Sequence, residues 1–365
     1  MTTYNPDNER IKHRYFGFLK EAKRHGEAKV DAVAKSLDRF ESYTRHREFK
    51  AFRIEQAIGF KRNMLNQKNQ RSGEMLSKAT LYATFADLKR FFQWLALEPG
   101  YRSRLGYSDA EYFNLSQNDT RIATAHREQS APTLEQIKHV ISKMSAESEI
   151  GRRNRAVVAF TLLTGARDGA IASMKLKHID LDAACVYQDA REVRTKFRKT
   201  FRTYFFPVGD DIEKIVIEWV TYLRNLKLWG NDDPVFPATR VTTGTGLRFA
   251  VDGLKREHWR TAAPIRSIFR NAFVSTGLPY FNPHSFRNTL IRHGQVVCRN
   301  AEDFKAWSQN IGHEGVLTTF ISYGDVSTER QREIVRGLGT SERTKQSSVD
   351  ELADAIALRL RASGK

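Results

Sequence analysis

Tyr323 stands in a Ser-Tyr-Gly setting, ten residues after the Gly312-His313 pair. A phenol with an ordinary pKa of about 10 is a poor nucleophile at neutral pH, so a catalytic tyrosine needs cations and proton carriers supplied from elsewhere. The chain offers several. Leu163-Thr164-Gly165-Ala166-Arg167 ends an apolar run on an arginine, and Thr195-Lys196-Phe197-Arg198-Lys199-Thr200 is a basic turn. His284 and Arg287 lie three residues apart, which on a helix puts them on one face. The chemistry such a set suits is attack by the Tyr323 oxygen on an anionic centre whose growing charge is held by arginines.

The elements that must position these groups are mostly helical. Arg155 to Leu163 reads as a buried helix capped at Gly165, which would mount Arg167 just beyond a rigid end. Cys185 to Gln188, Arg191 to Thr195 and Thr203 to Phe206 read as strands of a small antiparallel sheet around the basic turn. Pro283 marks a helix start at His284. Asp211 to Leu228 and Arg260 to Phe273 read as helices, and 234–264 between them as loop-rich.

Upstream, Val30, Val33, Leu37 and Phe40 recur at helical spacing, as do Ile54, Ile58 and Leu65. The clearest stripe is Leu81, Phe85, Leu88, Phe92 and Leu95, with Lys89, Arg90 and Gln93 on other faces. Residues 116–132 are polar and without apolar period, and Thr133 with Gln136 then offers a capping box. The organisation expected is a helical domain over 1–115, a linker over 116–132, a second domain over 133–339, and a tether with a last amphipathic helix over 340–365.

With 60 Lys+Arg against 42 Asp+Glu in 365 residues, the formal net charge is +18, which points to a polyanionic partner, most commonly nucleic acid. Two cysteines, Cys185 and Cys298, are too few for a disulfide scaffold or a cysteine-type zinc site. No apolar run approaches the ~20 residues of a membrane span, and the N-terminus lacks an apolar signal core, so an intracellular, cytoplasmic protein is expected.

In order, Arg167, Lys196, His284 with Arg287, Gly-His313 and Tyr323 resemble the active site of the tyrosine recombinase (phage integrase) family, over roughly residues 75 to 326. The resemblance implies a mainly α protein with a small antiparallel sheet in its catalytic domain, built as a two-domain, C-shaped DNA clamp whose first domain is the core-binding domain. It implies site-specific recombination of double-stranded DNA at recombination sites, for phage integration, mobile-element movement or chromosome resolution, by a homo-oligomer that is a tetramer on paired sites and works through a Holliday junction. Nucleoid association when bound, exchange of the C-terminal segment between protomers, and accessory DNA-bending proteins belong to the same picture.

Carried onto these residues, Arg167 and Arg287 hold the scissile phosphate, since a planar guanidinium bonds two oxygens at once and keeps its proton. Lys196, first in the Thr-Lys-x-x-Lys turn, protonates the leaving 5′ oxygen, with Lys199 as the alternative. His284 accepts the tyrosine proton or bonds a phosphate oxygen, and His313 adds a donor. Tyr323 is the nucleophile, and a 3′-phosphotyrosine conserves the bond energy, so neither ATP nor a metal cofactor is expected. The sequence has no P-loop and no carboxylate cluster with metal-ligand spacing. Two departures stand out. The family's acidic residue three positions after the first arginine is here Ala170, with Asp168 next to Arg167 instead, and the His-to-Tyr spacing is one residue longer than the commonest pattern. The competing readings are a type IB topoisomerase that relaxes DNA as a monomer, and a catalytically silent DNA-binding protein.

Overall fold

The computed structural model describes residues 4–69, 73–125, 130–243, 249–312 and 332. The chain divides into two compact units, 1–126 and 127–365.

In the first unit the helices are α1 (Pro6–Glu21), α2 (Glu27–Thr44), α3 (Ile54–Leu65), α4 (Lys78–Leu95) and α5 (Gln117–Thr124). α1 starts where Pro6 presets the backbone and the Asn5 side chain accepts from the Asp7 and Asn8 amides. The stripe Leu81, Phe85, Leu88, Phe92 and Leu95 on α4 is fully buried. It meets an aromatic core in which Phe40 packs edge-on to Phe60 at 5.2 Å and to Phe92 at 5.4 Å between ring centroids. α3 corrects the sequence reading. Its buried face is Ala57, Phe60 and Met64, and Ile54, Ile58 and Leu65 flank it half-buried. The bulky Phe60 ring, set against Phe40 and Phe85, decides the phase. Part of the polar stretch 116–132 is helical, because Ser116 caps α5 through the Asp119 amide.

In the second unit α6 (Leu134–Lys143) opens on the reciprocal capping box of Thr133 and Gln136. α7 (Glu149–Thr164) is buried on every face from Ala156 to Thr164, as a helix at the centre of a core must be. Gly165 ends it in the left-handed conformation. The short α8 (Asp168–Ile171) follows at once, then a sheet in the order β1 (Ile179–Asp180), β2 (Cys185–Gln188), β3 (Phe201–Tyr204), all antiparallel. α9 (Asp210–Thr221) comes next, and a hairpin of β4 (Ala238–Thr243) and β5 (Phe249–Lys255) precedes α10 (Ala263–Val274), α11 (Ser285–Val297) and α12 (Ala301–Asn310).

Two expectations fail here. Arg191 to Thr195 is not a strand: the Asp189 carboxylate takes the Arg191 amide and guanidinium, and the Asp189 carbonyl takes the Glu192 and Val193 amides. Those amides are consumed in a turn and cannot pair in a sheet. The region 234–264, read as loop, carries the β4–β5 hairpin. Among the described residues no helix is long and apolar enough to cross a membrane. The fold is mainly helical with small antiparallel sheets.

Candidate active site

A single backbone group ties Arg287 to the turn that leads into Arg167. The left-handed turn at Gly165 leaves its carbonyl unclaimed by α7, and Arg287, near the start of α11, donates Nη1 to it at 2.7 Å. A methyl group on Gly165 would meet Leu290 Cδ1 at 3.1 Å, so α11 packs closely on this turn. Arg167, two residues further on, starts α8, where its carbonyl takes the Ile171 amide. Arg287 is 2% exposed, while Arg167 is half-buried.

Lys196 opens a single 3-10 turn, Lys196–Arg198, between β2 and β3. It is exposed and Lys199 half-buried, so the structure leaves both open as the proton donor. The root of this turn is tied to α8. The Arg194 amide donates to Ser173 Oγ at 2.9 Å, and that hydroxyl sits on the Gly169 and Ala170 carbonyls.

His284 immediately precedes α11, where Ser285 is fixed by the Asn282 side chain and carbonyl. Desolvation, then the charges of Arg287, Arg167 and Lys196 in that order, hold the imidazole below its ordinary 6.5, with Asp168 opposing. Three of the sequence-chosen residues, Arg167, Lys196 and Arg287, are thus within electrostatic reach of a fourth, His284. His313 and Tyr323 lie outside the described residues.

The chain leading to them is firmly held. Asn310, at the end of α12, bonds the backbone of Tyr204 on β3 through both atoms of its amide, and its own carbonyl accepts from Thr203 Oγ1. Gly312 has φ +86° and lies against the Phe201 ring, where an added Cβ would come within 2.8 Å. Only glycine fits there.

Ala170, in the place of the expected acid, is 1% exposed in the apolar core. Asp168 takes the Gly169 amide at 2.9 Å and Arg266 Nε of α10 at 2.7 Å. Sequence reasoning missed Arg194 and Asn310 as anchors. Their partners are backbone groups distant in sequence, and a helix-terminal Asn just before Gly-His is the only local hint.

No family model matches the chain. Among curated proteins it is 22% identical over 210 residues to tyrosine recombinase XerD of Neisseria meningitidis serogroup B, covering 56% of this chain and 63% of that protein. It is 23% identical over 263 residues to tyrosine recombinase XerC of Lactobacillus delbrueckii subsp. bulgaricus, covering 71% of this chain and 76% of that one. The alignments span 63% and 59% of the length of the first two relatives. Among solved structures, a lambda integrase dimer bound to a COC′ core site matches at TM-score 0.60 and 12% identity, covering 88% of this chain and 96% of that chain. The Tn1549 transposon integrase in complex with a circular intermediate DNA matches at TM-score 0.57 and 13% identity, covering 90% and 99%. The chain is thus similar in sequence to tyrosine recombinases over more than half its length, and it has the fold of the integrases over about nine tenths of it.

Proposed function

We propose that this protein is a site-specific DNA recombinase that cuts and rejoins double-stranded DNA through a 3′-phosphotyrosine intermediate. The observation that carries the reading is the convergence of the Arg167, Lys196 and Arg287 charges on His284. A cluster of that sign, with one guanidinium buried, suits a phosphodiester passing through a five-coordinate state whose nonbridging oxygens carry the charge. In the step itself the Tyr323 oxygen bonds to phosphorus and the bond to the 5′ oxygen breaks. Neutral His284 takes the phenol proton or bonds a phosphate oxygen, Arg167 and Arg287 hold the nonbridging oxygens, His313 adds a donor, and Lys196 gives its proton to the departing 5′ oxygen. Rejoining reverses the step without ATP or a metal.

The net charge of +18 supports DNA as the partner, as does the circular intermediate DNA held by the similar Tn1549 transposon integrase. Within this reading, 1–115 is the core-binding domain and 133–339 the catalytic one, joined by 116–132. The protein acts in the cytoplasm, on the nucleoid when bound, as a tetramer on paired sites through a Holliday junction. DNA-bending accessory proteins assist, and 340–365 exchanges between protomers.

The test is trapping. Wild-type and Tyr323→Phe proteins are incubated with nicked duplexes from the ends of the encoding element, and adducts are separated on a denaturing gel. An adduct with wild type alone is expected. Adducts with both proteins would move the nucleophile elsewhere, and adducts with neither, despite tight binding to those ends, would favour a DNA-binding protein that does not cut.

A further inference from the structure

We infer that Arg194 is a positioning residue for the proton donor of the cleavage step, an inference that rests on the reading above. Arg194 is two residues ahead of Lys196, and nothing in its own sequence neighbourhood accepts its guanidinium. Nη1 donates to the Arg260 carbonyl at 2.8 Å, and Nη2 donates to the Trp259 carbonyl at 2.8 Å and the Ala172 carbonyl at 3.3 Å. Three backbone carbonyls from two separate segments therefore close on one planar fork, a geometry that lysine, with a single nitrogen, cannot reproduce.

The Arg194 amide adds a fourth tie through Ser173 Oγ, which hydrogen-bonds to the α8 carbonyls of Gly169 and Ala170. Arg167 caps that same helix. The base of the Lys196 turn and the mount of Arg167 are thereby one rigid unit, although 29 residues of sequence separate the two side chains. Lys196 itself is exposed on a single 3-10 turn that a lone hairpin would not hold still. A proton donor displaced by an ångström loses much of its effect, because transfer needs hydrogen-bond reach to the leaving oxygen. The same anchor serves if Lys199 is the donor, since both lysines lie on the one turn.

This assignment has a chemical signature. When the leaving 5′ oxygen is replaced by sulfur, the P–S bond breaks to give a thiolate, which with a thiol pKa near ~8.5 departs without a proton. A residue that acts by placing the acid then becomes dispensable, while one that holds the phosphate or the fold does not. The experiment measures single-turnover adduct formation on duplexes with a 5′-oxygen or a 5′-bridging sulfur at the mapped cleavage position. The proteins are wild type, Arg194→Gln, Arg194→Lys, Ser173→Ala, and Lys196→Ala as benchmark.

Arg194→Gln is expected to slow the oxygen substrate by at least tenfold, up to the ~10²–10⁴ that an acid catalyst contributes, and to cleave the sulfur substrate within about threefold of wild type. Ser173→Ala, the milder change should Arg194→Gln not fold, is expected to show the same pattern at smaller size. Equal slowing on both substrates, or no slowing on either, overturns the inference. Wild type forming no adduct on either substrate is the separate failure of the recombinase reading, and the inference falls with it.

Discussion

The side-chain amide of Asn310 makes to Tyr204 both hydrogen bonds that a neighbouring strand would make: Oδ1 accepts from the Tyr204 amide at 2.7 Å and Nδ2 donates to its carbonyl at 2.9 Å. β3 is the outer strand of its sheet, so a single side chain stands in for a missing partner there. The consequence is that the end of α12 is fixed on the strand that follows the Lys196 turn. Asn310→Ala is expected to destabilise the second unit by about 1–2 kcal/mol, the loss of two such bonds in a partly solvated place. Amide exchange should report it more sharply, since the Tyr204 N–H would lose its only described acceptor. Unchanged protection of that amide would mean that the contact is not made in solution.

The first unit offers an independent test of a buried polar junction. Asn8, with no exposed surface, donates to Glu41 Oε1 and to the Arg47 carbonyl, each at 3.1 Å, and accepts from the Phe49 amide at 2.9 Å. It thereby joins α1, α2 and the segment leading to Phe49. Asn8→Leu leaves a buried carboxylate and a buried amide short of a partner, so a loss of about 2–4 kcal/mol is expected. Urea unfolding measures it, and a loss below about 1 kcal/mol would show that water or rearrangement satisfies those groups.

What was legible in the sequence was local. The Leu81-to-Leu95 stripe, the Thr133/Gln136 box and the glycine at 165 each declare themselves within one or two helical turns, because periodicity and caps depend on near neighbours. The phase of α3 was missed because Ala57 counts for little on a hydrophobicity scale and Phe60 for much only once Phe40 and Phe85 surround it. Asp189 turned an apparent strand into a turn by capturing backbone donors, which composition alone does not reveal. At the candidate site, Arg167, Lys196, His284 and Arg287 were legible as residue types in order. Their anchors were not, since the Trp259 and Arg260 carbonyls that hold Arg194 lie 65 and 66 residues away and the strand that holds Asn310 lies 106 away.

Arg287 separates charge from geometry. Its Nη1 donates to the Gly165 carbonyl, and a planar guanidinium can bond more than one oxygen at once. Arg287→Lys keeps the charge and removes the fork. Adduct formation is expected to fall by about 10²–10³, the scale of losing one preorganised donor to a developing anion, while DNA affinity changes by less than about tenfold because the charge is kept and a chain of net charge +18 has many other cations. The two quantities are read by single-turnover trapping and by equilibrium binding at fixed salt. Affinity falling in step with cleavage would recast Arg287 as a DNA-binding residue.

The protonation of His284 gives the last prediction. Its pKa lies below 6.5 because desolvation and the charges of Arg287, Arg167 and Lys196 disfavour the imidazolium, while Asp168 pulls it up. The ring is therefore neutral at pH 7, and a role as proton acceptor persists as the pH falls through 6.5, failing only at the lower folded-state value. Asp168→Asn removes the opposing charge and also frees Arg266 from its partner, so the sign of the change is fixed: the pKa falls further. Titration of the labelled imidazole by NMR, assigned with His284→Gln, should place the midpoint below 6.5 in wild type and lower again in Asp168→Asn. The acid limb of the cleavage-rate profile should move the same way. A midpoint at or above 6.5, or an upward shift in Asp168→Asn, would mean that the cations are not gathered around this histidine in solution, and the proposed site would lose its main support.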